Sequence, residues 1–182
     1  MTGQSATRRE FEPGGLNLLD ASAFVAGAAT AAVHFRIVAN QVGSGAGWVL
    51  LGLTYTWAAV TASGPYVMLV RRFVRRVAGY PRVGDVSWAL LGLPWVVAAL
   101  LPGGVVDTGS VLDAAPIRLF YLGTIVIGVG AASTAAIALT WASWVAGPPR
   151  SAGESLPWTE RVGLILAVAW PIQCGLGLEV IG

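Results

Sequence analysis

The chain has 182 residues, of which 55% are hydrophobic and 11% charged, and its formal net charge is +2. An ordinary soluble domain has about 25% charged residues, so this composition argues against a water-soluble fold. The basic residues lie between apolar segments and form no stripe on a polar domain, which argues against a nucleic-acid partner. The composition predicts an all-α, polytopic transmembrane helical bundle.

Five apolar stretches follow one another along the chain. A bilayer core about 30 Å thick needs about 20 mostly apolar helical residues, because lipid cannot satisfy free backbone polar groups. The first two stretches are joined by a short glycine-rich link, which predicts an antiparallel helical hairpin. We expect one integral membrane domain over residues 1–182, with spans at about 20–39, 46–70, 86–105, 118–146 and 161–181.

Prolines interrupt the later stretches. Pro94 lies near the middle of the third and predicts a kink, and Pro171 interrupts the fifth. A four-span arrangement is the alternative, with the first stretch lying in the membrane interface. That stretch lacks the strongly charged face of an interfacial helix, so five spans are the better interpretation.

The distribution of arginines predicts the orientation. Loops on the cytoplasmic side carry an excess of basic residues. With a cytoplasmic amino terminus, nine of the eleven arginines lie inside, and only Arg36 and Arg118 lie in the outer half. Five spans then place the carboxyl terminus outside. We expect the protein in the inner (cytoplasmic) membrane of a bacterium.

A run of arginines follows the second span directly: Arg71, Arg72, Arg75 and Arg76. Positions i, i+1, i+4 and i+5 share one face of a helix, so a continued helix would present a basic stripe beneath the inner leaflet. Such a stripe predicts binding of anionic membrane lipids. The alternative is that these residues only set the topology.

His34 is the only histidine, and it lies near Arg36 at the outer end of the first span. Gln173 and Glu179 of the fifth span fall in the same half of the membrane. Ionisable residues inside a membrane usually face protein or water. The sequence therefore predicts a polar cluster of Arg36, Gln173 and Glu179, with an ion pair between Arg36 and Glu179.

Small residues precede His34 on its helix face, Gly27, Thr30 and Ala31 among them. In one interpretation they allow another helix to approach, and His34 forms a hydrogen bond across the contact. In a second they leave room for a macrocycle, and His34 binds a haem iron or a chlorophyll magnesium. An open path for protons or a substrate is the third. We favour packing, and predict no cofactor.

The fourth span contains many small residues. Gly128 and Ala132 are four residues apart, the spacing at which two helix backbones approach closely in lipid. We therefore predict that both residues contact a neighbouring helix.

Known catalytic and metal-binding patterns are not found in the sequence. The sequence has one histidine, one cysteine (Cys174) and no intramembrane cluster of carboxylates, and we identify in it no Ser/His/Asp set and no zinc-ligand spacing. We expect a non-catalytic accessory subunit that packs against other subunits of a larger membrane complex, with a respiratory or photosynthetic assembly as the host. A small oligomeric transporter or channel is the alternative, followed by a haem- or chlorophyll-binding subunit.

Overall fold

The computed structural model describes residues 16–39, 45–77, 79–101, 115–147 and 156–181. These residues form helices and their connections, and no strand occurs among them. The five helices coincide with the five apolar stretches to within a few residues. They are α1 (Leu18–Ala39), α2 (Gly45–Leu69), α3 (Val83–Leu100), α4 (Ala115–Ala146) and α5 (Trp158–Ile181).

Among the described residues, three segments are both long enough and apolar enough to cross a membrane: Leu18–Arg36, Val83–Leu100 and Val126–Ala146. They belong to α1, α3 and α4. The remaining helices, α2 and α5, have 25 and 24 residues. The protein is therefore an all-helical bundle with membrane-spanning character in at least these three helices.

The end of α2 differs from the continued helix expected through the arginine run. A π-helical turn over Val70–Val74 follows α2, and the amide of Arg75 donates to the carbonyl of Val70 at 2.8 Å. Arg76 then has a φ of 49°, which a regular helix does not allow. The chain therefore leaves the helix at this point, so the four arginines cannot share one straight helical face.

The start of α3 is set by a capping interaction. The helix begins three residues earlier than predicted, because the Asp85 side chain accepts a hydrogen bond from the backbone amide of Arg82 at 2.8 Å. This interaction satisfies an amide that would otherwise lack a partner at the helix start. At the other end the helix finishes at Leu100, just before the Pro102-Gly103-Gly104 sequence.

The centre of the described bundle is α3, which packs against α2, α4 and α5, while α1 packs mainly on α2. Large side chains from α2, α3 and α5 fill the interior. The buried core contains Ala23, Val67, Trp88, Leu91, Ala136, Leu166, Ala167 and Trp170.

Glycines lie where the helix backbones touch. Gly163 of α5 lies against the carbonyl of Gly84 in α3, and Gly84 lies against the backbone of Glu160. Two turns further along α3, Gly92 lies against the carbonyl of Thr61 in α2. A Cβ atom at any of these glycines would collide with backbone. Close backbone approach therefore brings α3 into contact with both α2 and α5.

Candidate functional site

Three helices begin with a buried carboxylate. Asp20 in α1, Asp85 in α3 and Glu160 in α5 are each the third residue of their helix, and none is more than 4% exposed. A carboxylate in this position interacts favourably with the positive end of the helix dipole. The first turns of α2 and α4 contain no acidic residue.

The three carboxylates meet the arginines at one end of the bundle, which we call the charged end: Asp20, Arg71, Arg75, Arg82, Asp85 and Glu160. Asp20 is its most connected member. Arg71 donates to it through two nitrogens, Nε to Oδ1 at 3.1 Å and Nη2 to Oδ2 at 3.0 Å. Nη1 of Arg75 donates to Oδ2 at 2.9 Å. One carboxylate thus joins α1 to both arginines that follow α2.

The Asp20–Arg71 pair is fully buried, with side chains 0% and 1% exposed. Burying two charges is costly unless their geometry is good and their remaining donors and acceptors are satisfied. The bidentate contact meets the first condition. The backbone amide of Asn17 also donates to Asp20, at 3.3 Å, and the Arg71 guanidinium carbon lies 4.8 Å from the centre of the Trp158 ring.

An aromatic cluster adjoins this ion pair through Trp158. The ring centres of Phe24, Trp88 and Trp158 are 5.8 to 6.1 Å apart. The indole nitrogen of Trp88 donates to the carbonyl of Val60 at 2.8 Å, so its polar atom is satisfied within the bundle. The cluster joins α1, α3 and α5 and separates the charges from the apolar interior.

A second ion pair joins the start of α3 to the start of α5. Nη1 of Arg82 lies 3.4 Å from Oε2 of Glu160. Nearby, burial raises the pKa of the Tyr80 hydroxyl, and the Asp85 carboxylate raises it further. Oδ1 of Asp85 and Oγ1 of Thr159 are buried without a hydrogen-bond partner among the described residues.

The four arginines of the predicted lipid-binding stripe occupy two different environments. Arg71 is buried, and Arg75 is only 15% exposed and bound to Asp20. Arg72 and Arg76 are exposed. The expectation of one exposed face is therefore wrong, because two of the four side chains are turned inward by Asp20. Lipid binding by this segment stays a prediction. Of its four arginines, only Arg72 and Arg76 are exposed enough to contact lipid headgroups.

His34 lies at the opposite end of α1 and connects it to α3. Its Nε2 atom is 2.8 Å from the carbonyl oxygen of Trp95, and the two rings meet edge to face with centres 5.4 Å apart. The side chain is 6% exposed. These contacts have the form that the packing interpretation of His34 requires. Binding of haem or chlorophyll stays untested.

The polar cluster predicted around Arg36 lies largely outside the described side chains. Arg36 itself is exposed. The side chains of Gln173 and Glu179 fall outside the described part of α5, and so does the predicted ion pair between Arg36 and Glu179.

Gly27 of α1 and Gly128 of α4 lie where two helices come close together. Gly27 lies against the backbone of Ala59 and the Ser63 side chain in α2, and Ala31 is fully buried. A Cβ atom on Gly128 would lie 3.1 Å from Pro94 of α3. Ala132, one turn further along α4, is half-buried.

Sequence reasoning missed the acidic half of the charged end. Asp20, Asp85 and Glu160 each stand at the start of an apolar stretch, on the side where the arginines concentrate. That position was the available signal, since the start of the first span and the end of the second must lie at the same end of a helical hairpin. Matched depth would have placed Asp20 near the arginines that follow α2, without saying which of them it pairs with.

Among the described side chains, no group of three histidine, cysteine or acidic residues is arranged to hold a metal ion. Comparison with protein-family models finds no match, and neither do comparisons with curated proteins and with solved structures.

Proposed function

We propose that this chain is a non-catalytic accessory subunit that packs, through the outward face of α4, against a larger membrane complex. The observation that carries the proposal is the open surface of α4. Only three residues of Val126–Ala146 are buried (Ser133, Ala136 and Thr140), against eight in Val83–Leu100 of α3. A partner subunit is the natural cover for such a face.

The outward face of α4 carries an alanine stripe, formed by Ala131, Ala135, Ala138 and Ala142. All four are exposed, and their spacing of four, three and four residues keeps them on one side of the helix. Buried Ser133, Ala136 and Thr140 lie on the opposite side. Lipid provides no hydrophobic drive between helices, so association depends on close contact at small residues. A stripe of this kind fits a second helix better than it fits lipid chains.

The rest of the bundle supports a structural role. Its charges are paired with one another at the charged end, and α3 contacts its neighbours at backbone level. We therefore infer a rigid scaffold that presents α4. A respiratory or photosynthetic assembly is the host class we propose.

We infer further that all five helices cross the inner (cytoplasmic) membrane of a bacterium, with the charged end cytoplasmic. Arginine-rich segments stay on the cytoplasmic side, and Arg71, Arg75 and Arg82 lie together at this end. The topology is tested in a Cys174→Ala background. A cysteine at position 72 should react with an impermeant maleimide only after the cytoplasmic side is opened. Labelling from outside intact cells would reverse the orientation.

The accessory role is tested by mild-detergent purification from native membranes. We expect a fixed set of copurifying subunits, which Ala138→Leu removes because the larger side chain separates the helices. Ala29→Leu, at an exposed alanine of α1, is the matched control and should keep the subunits. Retention of the same subunits by both variants would contradict the proposal.

The same preparation distinguishes the alternatives. A stable homo-oligomer with a water-filled path would favour a small transporter or channel instead. A visible absorption band that disappears in His34→Gln would favour the haem- or chlorophyll-binding subunit, whereas a colourless preparation would end that idea.

A further inference from the structure

A cleft opens between α4 and α5 on the side of α4 next to the alanine stripe. It has a volume of about 170 Å³ and is lined by Ile137, Thr140, Trp141, Trp144, Ala167 and Val168. Trp141, Trp144 and Val168 are each more than 60% exposed, so the cleft is open to the surroundings of the bundle. Its lining is almost wholly apolar, which suits a hydrocarbon chain and leaves few partners for a polar guest.

Arg161 stands at the charged end of this cleft. It is exposed, and it precedes Val168 by seven residues, or two helical turns, so both side chains lie on one face of α5. Two turns of helix are about 10 Å long. Arg161 forms no ion pair with a described residue, in contrast to Arg71, Arg75 and Arg82.

Contacts through α3 put the cleft and Arg161 at corresponding depths. The Ser87 hydroxyl of α3 lies 3.4 Å from that of Thr140 in α4, and Gly84 lies against Glu160, next to Arg161. Because α4 runs antiparallel to α5, Trp144 falls near the level of Arg161, and Ile137 lies deeper, near Val168. The cleft therefore leads from an exposed arginine into the apolar part of the bundle.

We propose that this cleft binds one anionic phospholipid, with an acyl chain between α4 and α5 and the headgroup phosphate at Arg161. A negatively charged headgroup complements the arginine, and the apolar cleft complements the chain. The site differs from the Arg71–Arg76 segment, and it rests on the membrane embedding proposed above. A lipid held there would complete the surface beside the alanine stripe.

Native mass spectrometry of the purified chain, titrated with phosphatidylglycerol or phosphatidylcholine, tests the proposal. We expect one retained phosphatidylglycerol per chain and weaker retention of phosphatidylcholine. Arg161→Gln should weaken phosphatidylglycerol binding about fivefold, as for the loss of one arginine at a membrane surface. Arg161→Lys, which keeps the positive charge at the same position, should retain most of the binding.

A second pair of variants tests the chain-binding part of the cleft. Val168→Phe fills the cleft and should reduce retention of both lipids, whereas Val25→Phe, at an equally exposed valine of α1, should not. Equal loss of phosphatidylglycerol in Arg161→Gln and Arg161→Lys, or unchanged lipid retention in Val168→Phe, would overturn the site. Resistance of the wild-type chain to carbonate extraction checks membrane embedding separately. A failure of the lipid site can therefore be distinguished from a failure of the proposed embedding.

Discussion

The charged end and the outward face of α4 differ in which side chains they bury. At the charged end, Asp20 and Arg71 are withdrawn from solvent and satisfied by each other. Along α4, large apolar side chains and the alanine stripe remain uncovered within the described bundle. Charges are thus buried and paired inside the bundle while much of the apolar surface of α4 is exposed, the reverse of the pattern in a soluble protein.

The comparison is tested most severely by removing the carboxylate of Asp20. In Asp20→Ala, Arg71 stays buried without its partner, and we expect a loss of about 3–5 kcal/mol in the free energy of unfolding. Thermal unfolding of the purified chain in detergent measures it. The double variant Asp20→Leu with Arg71→Met should recover most of the loss, because it leaves no unpaired charge. Stability of Asp20→Ala equal to that of the exposed-site variant Arg72→Met would show that the ion pair is unimportant.

The next largest effect is expected at the contact between α3 and α5. In Gly163→Ala, the added Cβ atom meets the carbonyl of Gly84, and the helices must separate. We expect a loss of about 1–3 kcal/mol, measured in the same assay. Gly52→Ala is the control, since a Cβ atom there meets nothing within 4 Å. That change should be neutral or stabilise the helix by up to about 1 kcal/mol. Similar behaviour of the two variants would disprove the close contact.

A smaller effect is expected at the opposite end of α1. His34→Leu removes the hydrogen bond to the Trp95 carbonyl. We expect the free energy of unfolding to fall by about 1 kcal/mol, measured by thermal unfolding in detergent. His34→Gln retains a donor and should recover part of it. A much larger loss, accompanied by loss of a visible absorption band, would instead identify His34 as a cofactor ligand.

The smallest effect is expected on the outward face of α4. Ala131→Leu should change the stability of the isolated chain by less than about 0.5 kcal/mol, because the side chain points away from the bundle. Ala136→Leu, on the buried face of the same helix, should cost about 1–3 kcal/mol through overpacking. If Ala131→Leu destabilised the isolated chain as much, the alanine stripe would be an internal contact.

Much of the helical framework was predictable from local sequence. Length and apolarity placed five helices within a few residues of their observed bounds, because each apolar stretch is long and ends at polar, glycine or proline residues. Small residues in α1 and α4 were also expected at helix contacts. The start of α3 was missed by three residues, since Asp85 was not considered as a capping residue.

The candidate site was less predictable. Each carboxylate and its arginine are far apart in sequence: Asp20 precedes Arg71 by 51 residues, and Arg82 precedes Glu160 by 78. A helical pattern places residues on a face but does not say which face is covered. The exposed face of α4 was undetermined for the same reason, because small residues occur on both of its faces.

The sequence by itself determined that this chain forms long apolar helices, since hydrophobicity and length act locally along the chain. Only the tertiary structure decided that Arg71 lies inside and Arg72 outside. That choice depends on a π-helical turn and on a carboxylate delivered by another helix. Two neighbouring arginines thus have different burial because of contacts with residues far away in sequence, and a local sequence pattern does not specify such contacts.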